Sequence, residues 1–193
     1  INRTNIPSNI EIKYTKHSKN KGMMGNFVWA IEEATGKYIA LCEGDDYWID
    51  KEKIKKQVLF LEENPEYVIN FNQVNIMDNQ TKNIKKSHPN INESKPINQI
   101  ELAKKNIITT PTCMFRNQFK KLPDWFLECS IGDYPLYLYL TNFGKAYFTS
   151  YPSAIYRDEV GTFSTLSNYK RELNTKNTLE ILINKGDFKE DVQ

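Results

Sequence analysis

The chain has 193 residues, 39% hydrophobic and 26% charged, a length and mix that suffice for one domain with a real core. A mean hydropathy of −0.62 and the lack of any long apolar run exclude a membrane span within these residues. With 26 basic against 24 acidic residues the net charge is only +2, which points away from nucleic acid as a partner.

The 3 cysteines, Cys42, Cys113 and Cys129, show no C-x-x-C spacing, and their odd number argues against a disulfide framework, so a reducing cytoplasm is the expected setting. The chain begins at Ile1 without an initiator methionine, as expected of a processed or excised piece of a longer protein.

In chain order, residues 10–15 alternate Ile10, Ile12 and Tyr14 with polar partners, the pattern of a half-buried strand. A loop with Gly22 and Gly25 follows, then Phe27, Ile31 and Ala34 on one helical face, with Gly36 placed to end the helix. Residues 38–42 form a short apolar run, as in a strand buried on both faces. Strand, helix and strand together predict a βαβ unit with parallel neighbours.

At Glu43 the character changes abruptly, with Glu43, Asp45 and Asp46 packed around Gly44. Acids at the carboxyl end of a buried strand lie where open α/β sheets bind ligands. Carboxylates this close repel unless a cation or donor network neutralises them, and Mg²⁺ or Mn²⁺ on a diphosphate fits that chemistry. A solvated acidic turn is the competing reading.

Asp50 is placed to cap a helix whose stripe is Ile54, Val58 and Leu61, stopped by Asn64-Pro65, and the basic residues of 51–56 read as its solvated face. Residues 67–74 return to the sheet, 78–96 read as an exposed polar excursion, and a short helix follows near 99–105. Pro111 within the strand candidate 109–115 predicts an edge or a bulge. After a loop anchored by Trp125 and Phe126, Asp133 is placed to cap a helix over 134–140 that Gly144 ends. Two short strands, 145–149 and 153–157, and an amphipathic helix over 168–184 complete the chain.

Asp133 has two readings, a helix cap or a carboxylate that takes a proton from an incoming hydroxyl while a cation at the other acids holds the leaving group. Trp48, Tyr134 and Tyr137 could stack on a sugar ring or simply fill the core. Cys42 reads as a packed thiol, and His17 and His88 sit in polar loops without the ligand set that zinc requires.

The stretch G-K-Y-I-A-L-C-E-G-D-D-Y-W, from Gly36 to Trp48, closely resembles the central motif of family 2 glycosyltransferases with the GT-A fold. The preceding N-K-G-M-M-G-N-F and the following K-I-K-K-Q-V-L-F-L-E-E-N-P-E-Y match that family in order and spacing, as do G-D-Y-P-L-Y-L-Y-L from Gly132 and A-I-Y-R from Ala154. The resemblance implies an α/β, GT-A-like (Rossmann-like) fold, with a mixed, mostly parallel sheet flanked by helices.

By the same resemblance Glu43-Gly44-Asp45 is the D-x-D equivalent, with Asp45 on the metal, Mg²⁺ or Mn²⁺, and Glu43 near the donor ribose. Asp133 is the general base of an inverting transfer; Asp46 is counted with the donor site as the neighbour of Asp45, and Trp48 and Tyr134, from the stacking reading, are the candidate acceptor contacts. Glu43 stands where the family often has Asp, and Asp158 and Glu159 stand where a histidine often follows Y-R. The implied partners are a nucleotide-sugar donor and a glycan or lipid-linked acceptor, in the cytoplasm or at the inner face of the membrane, with peripheral attachment through other regions.

Nothing before Ile10 supplies the family's opening strands, so residues 1–193 are expected to form one amino-terminally truncated domain, with 169–193 as terminal helix and tail, and to be inactive alone. Two alternatives stand beside the transferase: a non-catalytic carbohydrate- or protein-binding fragment of the same fold, and a metal-dependent nucleotidyltransferase.

Overall fold

The computed structural model describes residues 7–161 and 163–188. Helix α1 (Gly22–Glu32) leads to the short strand β1 (Tyr38–Ala40), the acidic turn and the two-residue strand β2 (Tyr47–Trp48). Then come α2 (Lys53–Glu63), β3 (Tyr67–Asp78), β4 (Ile84–His88), β5 (Lys95–Ile97) and α3 (Gln99–Lys104). Strand β6 (Met114–Arg116), α4 (Asp133–Leu140), β7 (Lys145–Asp158) and α5 (Asn168–Lys185) follow.

The sheet runs β1-β6-β3-β7-β2, with β4 on β3 and β5 on β7. Strand β3 is its spine because Val68, Ile69, Phe71 and Val74 are buried, so it is apolar on both faces. Leu136, Leu140, Phe126 and Phe148 join that core, and helix α3 closes one side of it behind a capping box made by Asn98 and Glu101.

The mixed α/β architecture flanked by helices agrees with expectation. The balance within the sheet differs: β3 and β7 are the parallel pair, and the other pairings among the described residues are antiparallel. β1 therefore meets β6 antiparallel at one end of the sheet, and Ile39 alone of its residues is buried. Residues 10–15 form no strand, and Ile10, Ile12 and Tyr14 are exposed; a period-two pattern makes a strand only where a ladder partner lies alongside.

Other differences have equally local causes. The polar excursion at 78–96 contains β4, whose exposed Lys85 and Lys86 suit a solvated outer strand rather than a loop. The two short strands expected near the end are one, β7, whose pairing with β3 shifts register around Asn72, Gln73 and Val74 opposite Pro152. Pro111 lies in a 3₁₀ turn, Thr110–Thr112, that ends before β6, and β6 is an interior strand.

Helix α2 turns a different face inward from the one expected. Lys53, Gln57 and Leu61 are buried, while Ile54 is exposed. Gln57 donates to the carbonyls of Asn70 and Thr112 at 3.0 and 2.9 Å, and accepts from the Lys53 ammonium at 2.7 Å. Polar residues that satisfy one another inside the fold are invisible to a hydrophobic period. Asp50 lies ahead of the helix, holding the Glu52 amide and the Lys56 ammonium at 2.9 Å each. Helix α1 ends at Glu32 with Glu33 as its cap, so Gly36 lies beyond the helix end rather than terminating it.

Candidate active site

The acidic turn leaves β1 and is pinned from behind by β7. Asp46 Oδ1 accepts the Arg157 amide at 3.0 Å, and the Arg157 guanidinium Nε donates to the Asp45 carbonyl. The Y-R pair at the end of β7 thus fixes the turn. Gly161 closes over it, for a Cβ there would lie 2.3 Å from Asp45 Oδ2. Only glycine permits that approach.

One carboxylate oxygen from each of Glu43, Asp45 and Asp46 lies within 4.8 Å of the others. Asp46 is buried, and its Oδ2 has no hydrogen-bond partner. Although Glu43 as a residue is exposed, desolvation of its carboxyl, followed by the charges of Asp133, Asp45 and Asp46, pushes it up to about 7. Burial likewise pushes Asp46 up to about 6, against the opposing amide of Arg157. An all-oxygen donor set with an orphaned buried oxygen suits a hard divalent cation such as Mg²⁺ or Mn²⁺.

Asp133 reaches the same place from α4. It is the first helical residue, with Gly132 as the cap, one position further in than expected. A Cβ on Gly132 would lie 3.0 Å from the Phe27 ring, so α1 packs directly on the residue before Asp133. The Asp133 carboxylate accepts the Tyr134 amide at 2.8 Å and the Thr110 hydroxyl at 3.3 Å. Burial raises its pKa, partly offset by those two donors. Thr110 also interacts with Glu43, so one hydroxyl stands between two acids from distant parts of the chain.

Glu43 and Asp133 line one cavity of about 700 Å³, together with Tyr134, Tyr156, Met23 and Phe27. Tyr134 itself is buried, and its hydroxyl serves the Leu102 and Ala103 carbonyls at 3.0 and 2.9 Å. Tyr137 is wholly buried in the core. Trp48 is partly exposed, donates to the Pro111 carbonyl at 2.8 Å, and covers the Lys53 ammonium at 4.7 Å. Lys53, expected on a solvated face, is fully buried, and burial pushes its pKa down to about 8.

Three residues went unremarked in the sequence: Thr110, Arg157's role as tether, and Gly161. A-I-Y-R hinted at the second; no local pattern marks the others. Cys42 is exposed at the turn, not packed, because β1 ends two residues before it. His88 ends β4 and lines the cavity rather than sitting in a loop. Asp158 pairs with Lys85 at 3.1 Å.

The family described as Glycosyl transferase family 2 matches residues 3–122, more than half of the chain. The chain belongs to that family. Uncharacterized proteins of Mycobacterium bovis and Mycobacterium tuberculosis are 32% identical to this glycosyltransferase domain over 118 residues, covering 56% of the chain and 34% of their own length. The chain therefore spans about a third of those relatives. Among solved structures, Staphylococcus aureus TarS 1-349, in complex with UDP-GlcNAc, superposes with a TM-score of 0.54 at 13% identity. That match covers 85% of this chain and 47% of TarS, and it shows a shared GT-A-like fold. No helix among the described residues of the glycosyltransferase domain is long and apolar enough to cross a membrane.

Proposed function

We propose that this chain carries the metal-binding and base-bearing side of an inverting glycosyltransferase that moves a sugar from a nucleotide-sugar donor to a hydroxyl acceptor. The observation that carries the reading is the meeting of Glu43, whose carboxylate clusters with those of Asp45 and Asp46, with Asp133 on the wall of one cavity, from elements far apart in the chain. A merely solvated acidic turn would have no reason to gather Asp133 beside it.

Asp45 and Asp46 would hold Mg²⁺ or Mn²⁺, with Glu43 at the donor side. Such an ion, when bound, neutralises the charge that develops on the departing diphosphate. Asp133 takes the proton from the acceptor hydroxyl. The oxygen forms its bond to the anomeric carbon from the face opposite the bond that breaks, and the nucleoside diphosphate departs with that electron pair. The raised pKa of Asp133 brings it closer to the operating pH, which favours a base over a spectator carboxylate. Tyr156 and the apolar wall from Met23 and Phe27 narrow the cavity around the reacting sugar.

TarS was solved with UDP-GlcNAc, which makes UDP-GlcNAc the first donor to try. In the full-length protein, Asp45→Ala is expected to abolish Mn²⁺-dependent binding of a nucleotide sugar in calorimetry while leaving the circular dichroism spectrum unchanged. Undiminished metal-dependent binding by that variant would remove Asp45 from the donor site.

A further inference from the structure

The cavity that holds Glu43 and Asp133 carries charge of the opposite sign on the rest of its wall. His88 from the end of β4, Lys104 and Lys105 from the end of α3, and Arg171 from the first turn of α5 all line it. Neither Lys104, Lys105 nor Arg171 has a carboxylate within 4.0 Å among the described residues. Glu101, the acid nearest in sequence to the two lysines, is committed to Lys95 at 3.1 Å and to the Asn98 amide at 3.0 Å. The Arg171 guanidinium donates to the neutral side chain of Asn168. Burial, together with Lys105 and Lys86, holds the His88 imidazole below its ordinary range, so at neutral pH it is an uncharged hydrogen-bonding group among cations.

The end of α3 and the first turn of α5 place these three cations on one concave wall beside the neutral His88, and among the described residues none of them is held in an ion pair. On the functional reading above, the donor's negative charge is met by the cation that Asp45 and Asp46 would hold. The basic wall is therefore a second anion-binding surface of the same cavity. A neutral acceptor gains nothing from it. An anionic acceptor approaching Glu43 and Asp133 would be repelled without it.

We propose that this wall binds an acceptor bearing its own negative charge, a phosphate or carboxylate group close to the hydroxyl that the acceptor presents to Asp133. The proposal rests on the transferase reading for the role of Asp133. Lys105 and Arg171 are binding residues that select the acceptor, with the arginine able to grip either anion through paired N–H donors. Phe163, which also lines the cavity, offers an apolar surface for the carbon skeleton of that acceptor.

Isothermal titration with three small probes tests it: glucose 6-phosphate, glucuronate and glucose. At least one anionic probe is expected to bind tenfold or more tightly than glucose, with a Kd that rises as NaCl is raised. Binding of glucose 6-phosphate alone assigns phosphate, and binding of glucuronate alone assigns carboxylate. The double variant K105Q/R171Q should weaken the anionic probe at least tenfold and leave binding of Mn²⁺ with pyrophosphate, the donor-side probe, unchanged. Equal affinity for glucose and both anions overturns the proposal, as does a double variant that loses Mn²⁺-pyrophosphate instead. If Mn²⁺-pyrophosphate fails to bind the wild type, the donor reading fails, and the salt-dependent preference for an anionic sugar still decides the role of the wall.

Discussion

Asp46 holds the main-chain amide of Arg157 through one carboxylate oxygen, at 3.0 Å, and keeps the other buried with no partner. A buried acceptor without a donor is costly, and a bound cation would relieve that cost. Asp46→Asn keeps an oxygen for Arg157 and places an amide nitrogen where the orphaned oxygen stands. Mn²⁺ affinity should fall tenfold or more while the thermal midpoint holds or rises, read by calorimetry and a melting curve on the same sample. Unchanged Mn²⁺ affinity would place the ion elsewhere.

The raised carboxyls give metal binding a pH signature. Glu43 titrates near about 7 and Asp46 near about 6 in the folded chain, above ordinary values of 4.5 and 3.8. Between the ordinary and the folded values the native state holds more protons than the unfolded chain, so the contribution of these groups to stability falls as pH rises through that window. Metal binding must displace the same protons. Mn²⁺ affinity should therefore climb from pH 5 to 7 and level off above, and titrations at pH 6 in two buffers of different ionisation heat should report proton release. A flat profile across pH 5 to 7 would contradict the assignment.

Gly161 offers a test of the turn's geometry from outside the acids. A methyl group there would collide with Asp45 Oδ2, which lies 2.3 Å from the Cβ position. Gly161→Ala should weaken Mn²⁺ binding about tenfold, with a far smaller effect on the unfolding midpoint, because the residue packs on no core side chain. A variant that binds Mn²⁺ like the wild type would show that Asp45 need not stay where Gly161 lets it lie.

How far the sequence discloses this site depends on the range of the interaction. The acidic turn was legible because Glu43, Asp45 and Asp46 are local and follow an apolar run. Asp133 could be read from its position as either a cap or a base, and the family resemblance favoured the base, since its companions Thr110 and Glu43 are brought to it by the sheet. The β3 spine and α5 were plain from apolar spacing, whereas β4 was masked by its exposed lysines. Lys53 was misread for a physical reason: charge pattern alone places lysine in water, and only the fold reveals that Gln57 and the Trp48 ring receive it inside.

That buried lysine has its own signature. Lys53 titrates at about 8 against an ordinary 10.5, so between those values the unfolded chain holds the extra proton and stability rises with pH. The full swing is on the order of 3 kcal/mol. Between pH 8 and pH 10 the urea midpoint of the wild type should rise relative to that of Lys53→Met, which lacks the titrating ammonium. Parallel midpoints at both pH values would show that the Lys53 pKa is not lowered in the folded chain.

The central claim is that Asp133 removes the acceptor's proton at a site whose donor is held by other residues. Asn at position 133 can still accept the Tyr134 amide through its one oxygen, and its amide nitrogen can donate to the Thr110 hydroxyl where the carboxylate accepted from it, so the fold around it is preserved. The most direct measurement compares wild-type and Asp133→Asn full-length protein for both nucleotide-sugar binding and sugar transfer. The expected result is donor affinity within about twofold of wild type and transfer slower by about 10²-fold or more, the contribution of a positioned general base. Transfer at a near wild-type rate by Asp133→Asn would reduce Asp133 to a structural residue at the start of α4 and contradict the account.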